Sequence, residues 1–205
     1  MEIIQKTIQP FGDASILLAH SPILDRFDRT FTYLRLALNE QCNLRCIYCM
    51  PEEGIDFRSE DKLLSTEEIF KLIELTSQMG VSKIRFTGGE PLLRKDLTEL
   101  VHFAHQCNGI ESVHLTTNGL LLSKQIDTLQ KAGLSGINIS LDTLDSDKFK
   151  KITRRDGLDL VLNSLQTSID SSIQSIKLNV VAMRDFNDDE LMDFVALTKE
   201  NDITV

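Results

Sequence analysis

Short β-branched runs alternate with amphipathic stretches along this chain, and the alternation recurs about five times, the sequence sign of βα units around a parallel sheet. The period-2 segments predict strands over residues 32–38, 82–87, 111–117, 137–141 and 176–182. Ser65, Thr66, Glu67 and Glu68 form a capping box opening a helix with Ile69, Leu72, Ile73 and Met79 on its apolar face, and Gly80 is placed to end it. Leu97, Leu100, Val101 and Ala104 make the next stripe, and Leu158, Val161, Leu162, Leu165 and Ile169 a longer one. A last stripe of Leu191, Phe194, Val195 and Thr198 follows an expected Asn187 cap.

The strands carry a second message. Strands of a parallel sheet are usually covered on both faces and read as continuous apolar runs, yet each of these has one apolar and one polar face. Leu34, Leu36 and Leu38 oppose Tyr33, Arg35 and Ala37; Ile84 and Phe86 oppose Lys83, Arg85 and Thr87; Val113 and Leu115 oppose His114 and Thr116. The pattern continues with Ile137, Ile139 and Leu141 against Asn138 and Ser140, then Ile176, Leu178 and Val180 against Lys177 and Asn179. If helices cover the apolar faces, the polar faces converge on one concave interior. A closed eight-stranded barrel fills that space with Val, Ile and Leu, so the expectation is a partly open α/β barrel with a polar, cationic lumen for a charged ligand. Residues 201–205 read as the opening of a sixth strand, which makes the barrel look cut at that point with an unprotected edge.

At 205 residues and 41% hydrophobic content the chain can bury a sizeable core. A net charge of −9 argues against binding duplex nucleic acid. No stretch approaches the roughly 20 apolar residues of a membrane helix, and the first thirty residues resemble neither a secretory signal nor a transit peptide. A cytoplasmic setting is expected.

Three of the four cysteines, Cys42, Cys46 and Cys49, fall within eight residues. Thiolates so bunched suit a metal cluster better than disulfides, and soft sulfur ligands favour iron–sulfur clusters, zinc or cuprous copper. The i, i+4, i+7 spacing would also suit a buried helical face, but Asn43 is a weak helix former and Pro51 disfavours helix at Met50. A structural zinc site would need a fourth ligand that the local sequence does not offer. A cubane held by three protein thiolates leaves one iron open to bind and activate a small molecule. His20, His102, His105 and His114 are scattered and suggest ordinary surface or core roles, and Cys107 a structural thiol.

With its aromatic before the third Cys, and with Gly88-Gly89-Glu90-Pro91 after the second strand, the Cys-x-x-x-Cys-x-x-Cys motif resembles radical S-adenosylmethionine (SAM) enzymes. Tyr33-Leu34-Arg35, Tyr48-Cys49-Met50-Pro51, Arg85-Phe86-Thr87-Gly88-Gly89-Glu90-Pro91 and Thr116-Thr117-Asn118-Gly119 together resemble the GTP 3′,8-cyclase family of molybdenum cofactor biosynthesis. The resemblance runs over residues 24–205, after an N-terminal extension of residues 1–23. It implies a partial (βα)6-type TIM-like barrel, truncated at the start of strand 6. Cys42, Cys46 and Cys49 would ligate a 4Fe–4S cluster whose open iron takes the amino and carboxylate groups of SAM. Tyr48, Gly88, Gly89, Glu90 and Ser140 would lie around SAM, the glycines admitting the methionine amino group. Arg35, Arg85, Thr116 and Lys177 would contact GTP.

The chemistry implied is reductive cleavage of SAM to a 5′-deoxyadenosyl radical, removal of the ribose 3′ hydrogen of GTP, and attack on guanine C8 to give (8S)-3′,8-cyclo-7,8-dihydroguanosine 5′-triphosphate. A flavodoxin-like electron donor is implied, and a homodimer stays open. The family carries a second three-cysteine cluster in a C-terminal region, whereas no cysteine follows Cys107 here, so one cluster is expected. Alternatives are a peptide-modifying radical SAM enzyme and a non-catalytic iron–sulfur fragment.

Overall fold

The computed structural model describes residues 22–59 and 62–205; His20 and all but the last two residues of the expected N-terminal extension lie outside them. Five strands, β1 (Tyr33–Ala37), β2 (Lys83–Thr87), β3 (Ser112–Thr117), β4 (Gly136–Ser140) and β5 (Ser175–Asn179), pair in chain order, all parallel. Six α-helices accompany them among the described residues: α1 (Thr66–Gln78), α2 (Leu97–Gln106), α3 (Leu122–Lys131), α4 (Ser146–Thr153), α5 (Leu158–Ile169) and α6 (Leu191–Glu200), the last after β5. Thr204 adds a parallel bridge to Lys177, so a sixth strand does begin where the sequence suggested.

The two faces of the sheet separate as the period-2 pattern requires. Ile84, Phe86, Val113, Leu115, Ile137 and Ile139 are fully buried against the helix stripes. At about 25 cal/mol per Å² of apolar surface removed from water, this layer is the main source of stability. The opposite face carries cross-strand rows of polar residues: Arg35 beside Arg85 beside His114, and Thr116 beside Asn138 beside Lys177. All the cations of the expected lumen stand on that face.

Local signals explain most element ends. Ser65 Oγ accepts from the Glu68 amide and the Glu68 carboxylate accepts from the Ser65 amide, completing the capping box of α1. Gly80 follows with φ 93°, a left-handed position that glycine adopts at little cost. Three features depart from the sequence reading. The helices α3 and α4 were not anticipated, although Leu122, Ile126 and Leu129 form a buried stripe and Asp145 caps α4 by accepting from the Lys148 amide. The last strand stops at Asn179, because the Val181 amide donates to Asp142 Oδ1 and the Val181 carbonyl accepts from Asn187 Nδ2 in place of ladder bonds. For the same reason Asn187 does not cap α6: its side chain ties Asp142 O, Val181 O and Met183 N together.

Candidate functional site

Cys42, Cys46 and Cys49 lie in the loop that leaves β1, with no helix between them, so the helical-stripe reading fails. The loop is pinned by burial of Leu44 and Met50 and by a tight turn in which the Cys49 and Met50 amides donate to Cys46 O. It then docks on the end of α4. The Arg45 and Ile47 amides donate to the Thr153 and Ile152 carbonyls, both at 2.9 Å, satisfying acceptors that a helix C-terminus leaves open. Arg154, in the left-handed region at φ 56°, sends Nη1 to the carbonyls of Arg45 and Met50, each at 3.0 Å. Arg45 Nη1 in turn reaches Cys42 O and Leu44 O. Two guanidiniums therefore hold the backbone of the cysteine loop, and that of Arg154 was not legible without α4.

Further bonds join the loop to the strand ends. The Tyr48 hydroxyl donates to Asp142 Oδ2 at 2.5 Å, and Asn118 Nδ2 lies 3.8 Å from Cys42 Sγ and 2.7 Å from Asn43 Oδ1. Ser140 lines a cavity of about 40 Å³ with Cys46, Tyr48, Asn118 and Asp142. At Gly88 and Gly89 the chain itself needs glycine: a Cβ would run into Asn39 O at the first and into the Glu40 and Gln41 carbonyls at the second. Glu90 is fully buried, its carboxylate accepting from the Leu92 amide, the Thr117 hydroxyl and the Asn118 amide. Burial pushes the Glu90 carboxyl up while those donors oppose the shift, and its observed work is to lock the ends of β2 and β3 together.

The sulfur chemistry fits a cluster. All three thiols are free, Cys49 exposed and the others partly so. Burial and the neighbouring Cys42 and Cys49 push the Cys46 thiol up to about 11, and burial chiefly raises Cys42. Thiolates that repel one another in this way need a cationic group among them to stay ionised together. In a cubane each of the three thiolates would bind its own iron. Cys107 stays apart, packing 3.3 Å from Ser77 Oγ.

On the lumen face, Arg85 is buried and its Nη1 donates to Thr116 Oγ1 at 3.3 Å, whereas Arg35 is exposed and Lys177 half-buried. Lys83 and His114 join them and were missing from the predicted binding set. A larger cavity of about 410 Å³, between the start of α1 and Arg94–Asp96, contains none of the predicted residues. Its Arg94 is already engaged by Asp96 and by the Leu38 and Leu64 carbonyls.

Residues 37–198 match the radical SAM superfamily. The chain belongs to that superfamily. Membership implies a 4Fe–4S cluster and SAM. The chain is 47% identical over 201 residues, 98% of its length, to molybdenum cofactor biosynthesis protein 1 of Dictyostelium discoideum, and covers 31% of that protein. It is 45% identical over 183 residues, 89% of its length, to the GTP 3′,8-cyclase of Clostridium botulinum, and covers 57% of it. The chain thus spans about a third to somewhat over half the length of these relatives. Its fold matches that of Streptococcus suis SuiB bound to precursor peptide SuiA, with TM-score 0.71 and 20% identity over 84% of this chain and 37% of that one. The partly open α/β barrel expected from the strand pattern, of the radical SAM type by resemblance, is the fold observed.

Proposed function

We propose that this chain is the SAM-cleaving core of a GTP 3′,8-cyclase, working in the cytoplasm with one 4Fe–4S cluster and a flavodoxin-like electron donor. One observation carries the reading: Arg35, Arg85, Thr116 and Lys177, picked out by resemblance to the cyclases, lie in adjacent rows on one face of the sheet. Three cations on one face suit a triphosphate, and the Arg forks suit its paired oxygens.

In this reading Cys42, Cys46 and Cys49 hold the cluster, and Tyr48, Gly88, Gly89, Glu90 and Ser140 frame SAM. When bound, the cluster would supply an electron to SAM, and SAM the 5′-deoxyadenosyl group for hydrogen abstraction from the ribose of GTP. The protein's own residues position these groups. Arg45 and Arg154 fix the loop, Asp142 fixes Tyr48, and the arginine–threonine pair on β2 and β3 orients the phosphates.

Anaerobic reconstitution followed by assay of 5′-deoxyadenosine tests the proposal. GTP-stimulated cleavage of SAM, with deuterium passing from 3′-labelled GTP into 5′-deoxyadenosine, is expected. SAM cleavage indifferent to GTP would contradict it.

A further inference from the structure

His114 projects from the middle of the sheet in the cross-strand row Arg35, Arg85, His114, Gly136, Ser175. Gly136 makes the room. A Cβ at that position would overlap Nδ1 and Cε1 of the imidazole and come within 3.2 Å of Ser175 Cβ, so the ring leans across bare backbone of β4. His114 is only 6% exposed, and its buried Nδ1 has no hydrogen-bond partner. Nearby, Asn138 Oδ1 is likewise buried and unpartnered. Buried polar atoms are normally hydrogen-bonded, and exceptions cluster where a ligand completes the set.

The charged groups acting on the ring come from two other strands, Lys83 and Arg85 on β2 and Lys177 on β5, and all are cations. Arg35 stands beside Arg85 in the same row. Burial first, then these three neighbours, hold the imidazole neutral, with a pKa lowered to about 4. A chain of net charge −9 has therefore assembled on this face a group of positive charges that excludes one more proton.

Resting on the reading of the lumen as a triphosphate site, we propose that His114 belongs to that site and that a polyanion binds together with a proton, the imidazolium donating to a phosphate oxygen beside Arg85 and Lys177. The proton comes from solvent. A polyphosphate offsets the cations that keep the ring neutral, so its arrival raises the ring's proton affinity, and by reciprocity the proton raises the affinity for the polyanion. Binding strengthens as pH falls between the ring's pKa in the loaded and in the empty lumen, by at most about tenfold per pH unit for one proton. Gly136 is part of the device, because a side chain there would displace the ring.

The test uses inorganic tripolyphosphate with the 205-residue chain. Calorimetry between about pH 7 and pH 4 compares the native chain with His114→Gln. In parallel, NMR of ¹³C-labelled histidine follows the imidazole, its signal identified by loss in the variant. The expected result is a ring that titrates below the ordinary histidine range in the free chain and at least about one unit higher with tripolyphosphate. The native chain's gain in affinity on acidification should exceed the variant's by about tenfold. Tripolyphosphate binding that leaves the His114 titration unmoved overturns the proposal while the triphosphate reading stands. Should the variant not fold, the histidine signal that titrates below the ordinary range in the free native chain decides alone. Absence of binding to the native chain at every pH overturns both.

Discussion

The Tyr48 hydroxyl donates to Asp142 Oδ2 across 2.5 Å, while Asp142 Oδ1 accepts the Val181 amide at 2.9 Å. One carboxylate just beyond β4 therefore fastens the cysteine loop on one side and the segment after β5 on the other. Hydrogen bonds to charged groups contribute about 1.5–3 kcal/mol. Tyr48→Phe should open the loop about tenfold more often, seen as faster iron loss to a chelator with the global melting temperature little changed. Equal rates of loss would show that this bond does not hold the loop.

Arg154 makes two bonds to loop carbonyls from one nitrogen. Arg154→Ala should destabilise the chain by about 2–4 kcal/mol and abolish hydrogen-exchange protection at the Arg45 and Ile47 amides, which rest on the same helix end. Arg154→Lys should restore only part of this, since an ammonium does not hold two N–H donors of one nitrogen in the fixed plane of a guanidinium. Full protection in the alanine variant would refute the docking role of α4.

His114 predicts an acid limb of stability. Its folded pKa of about 4 lies below the ordinary 6.5, so the unfolded chain binds a proton that the fold refuses. Stability should rise with pH through that interval and fall as pH drops from about 6.5 toward 4, by up to about 3 kcal/mol. Chemical denaturation across this range, with His114→Gln showing the flatter profile, checks the sign. A native chain no less stable at the acid end would be inconsistent with a buried neutral imidazole.

Arg85 is the buried cation of the lumen and donates to Thr116. On the proposed triphosphate reading, Arg85→Lys keeps the charge but loses the fork, and should weaken GTP binding by about tenfold or more, with Arg35→Lys on the exposed edge costing less. Calorimetric affinities for the two variants distinguish them; equal losses would place the phosphates elsewhere.

The sheet and its two-faced character were legible because period 2 is a property of neighbouring residues: Ile84 and Phe86 against Lys83 and Arg85 suffices. The cysteines stood out by spacing alone as candidate ligands. The pieces that fix them were not, since Arg154 reaches Met50 across 104 positions and Tyr48 reaches Asp142 across 94. The short α4 escaped notice, and with it the docking of the loop. Gly88 and Gly89 looked like an opening for a ligand, whereas chain packing against Asn39, Glu40 and Gln41 already demands them. His114 looked ordinary because nothing in sequence links it to Gly136, its neighbour only through strand pairing.

The central claim is that Cys42, Cys46 and Cys49 hold one cubane with an open iron facing the cationic lumen. Electron paramagnetic resonance of the anaerobically reconstituted, reduced chain, recorded with and without SAM and alongside an iron count, tests it most directly. The account predicts about four irons per chain and a signal that shifts when SAM binds the open iron. A colourless preparation, or a cluster signal blind to SAM, would contradict it.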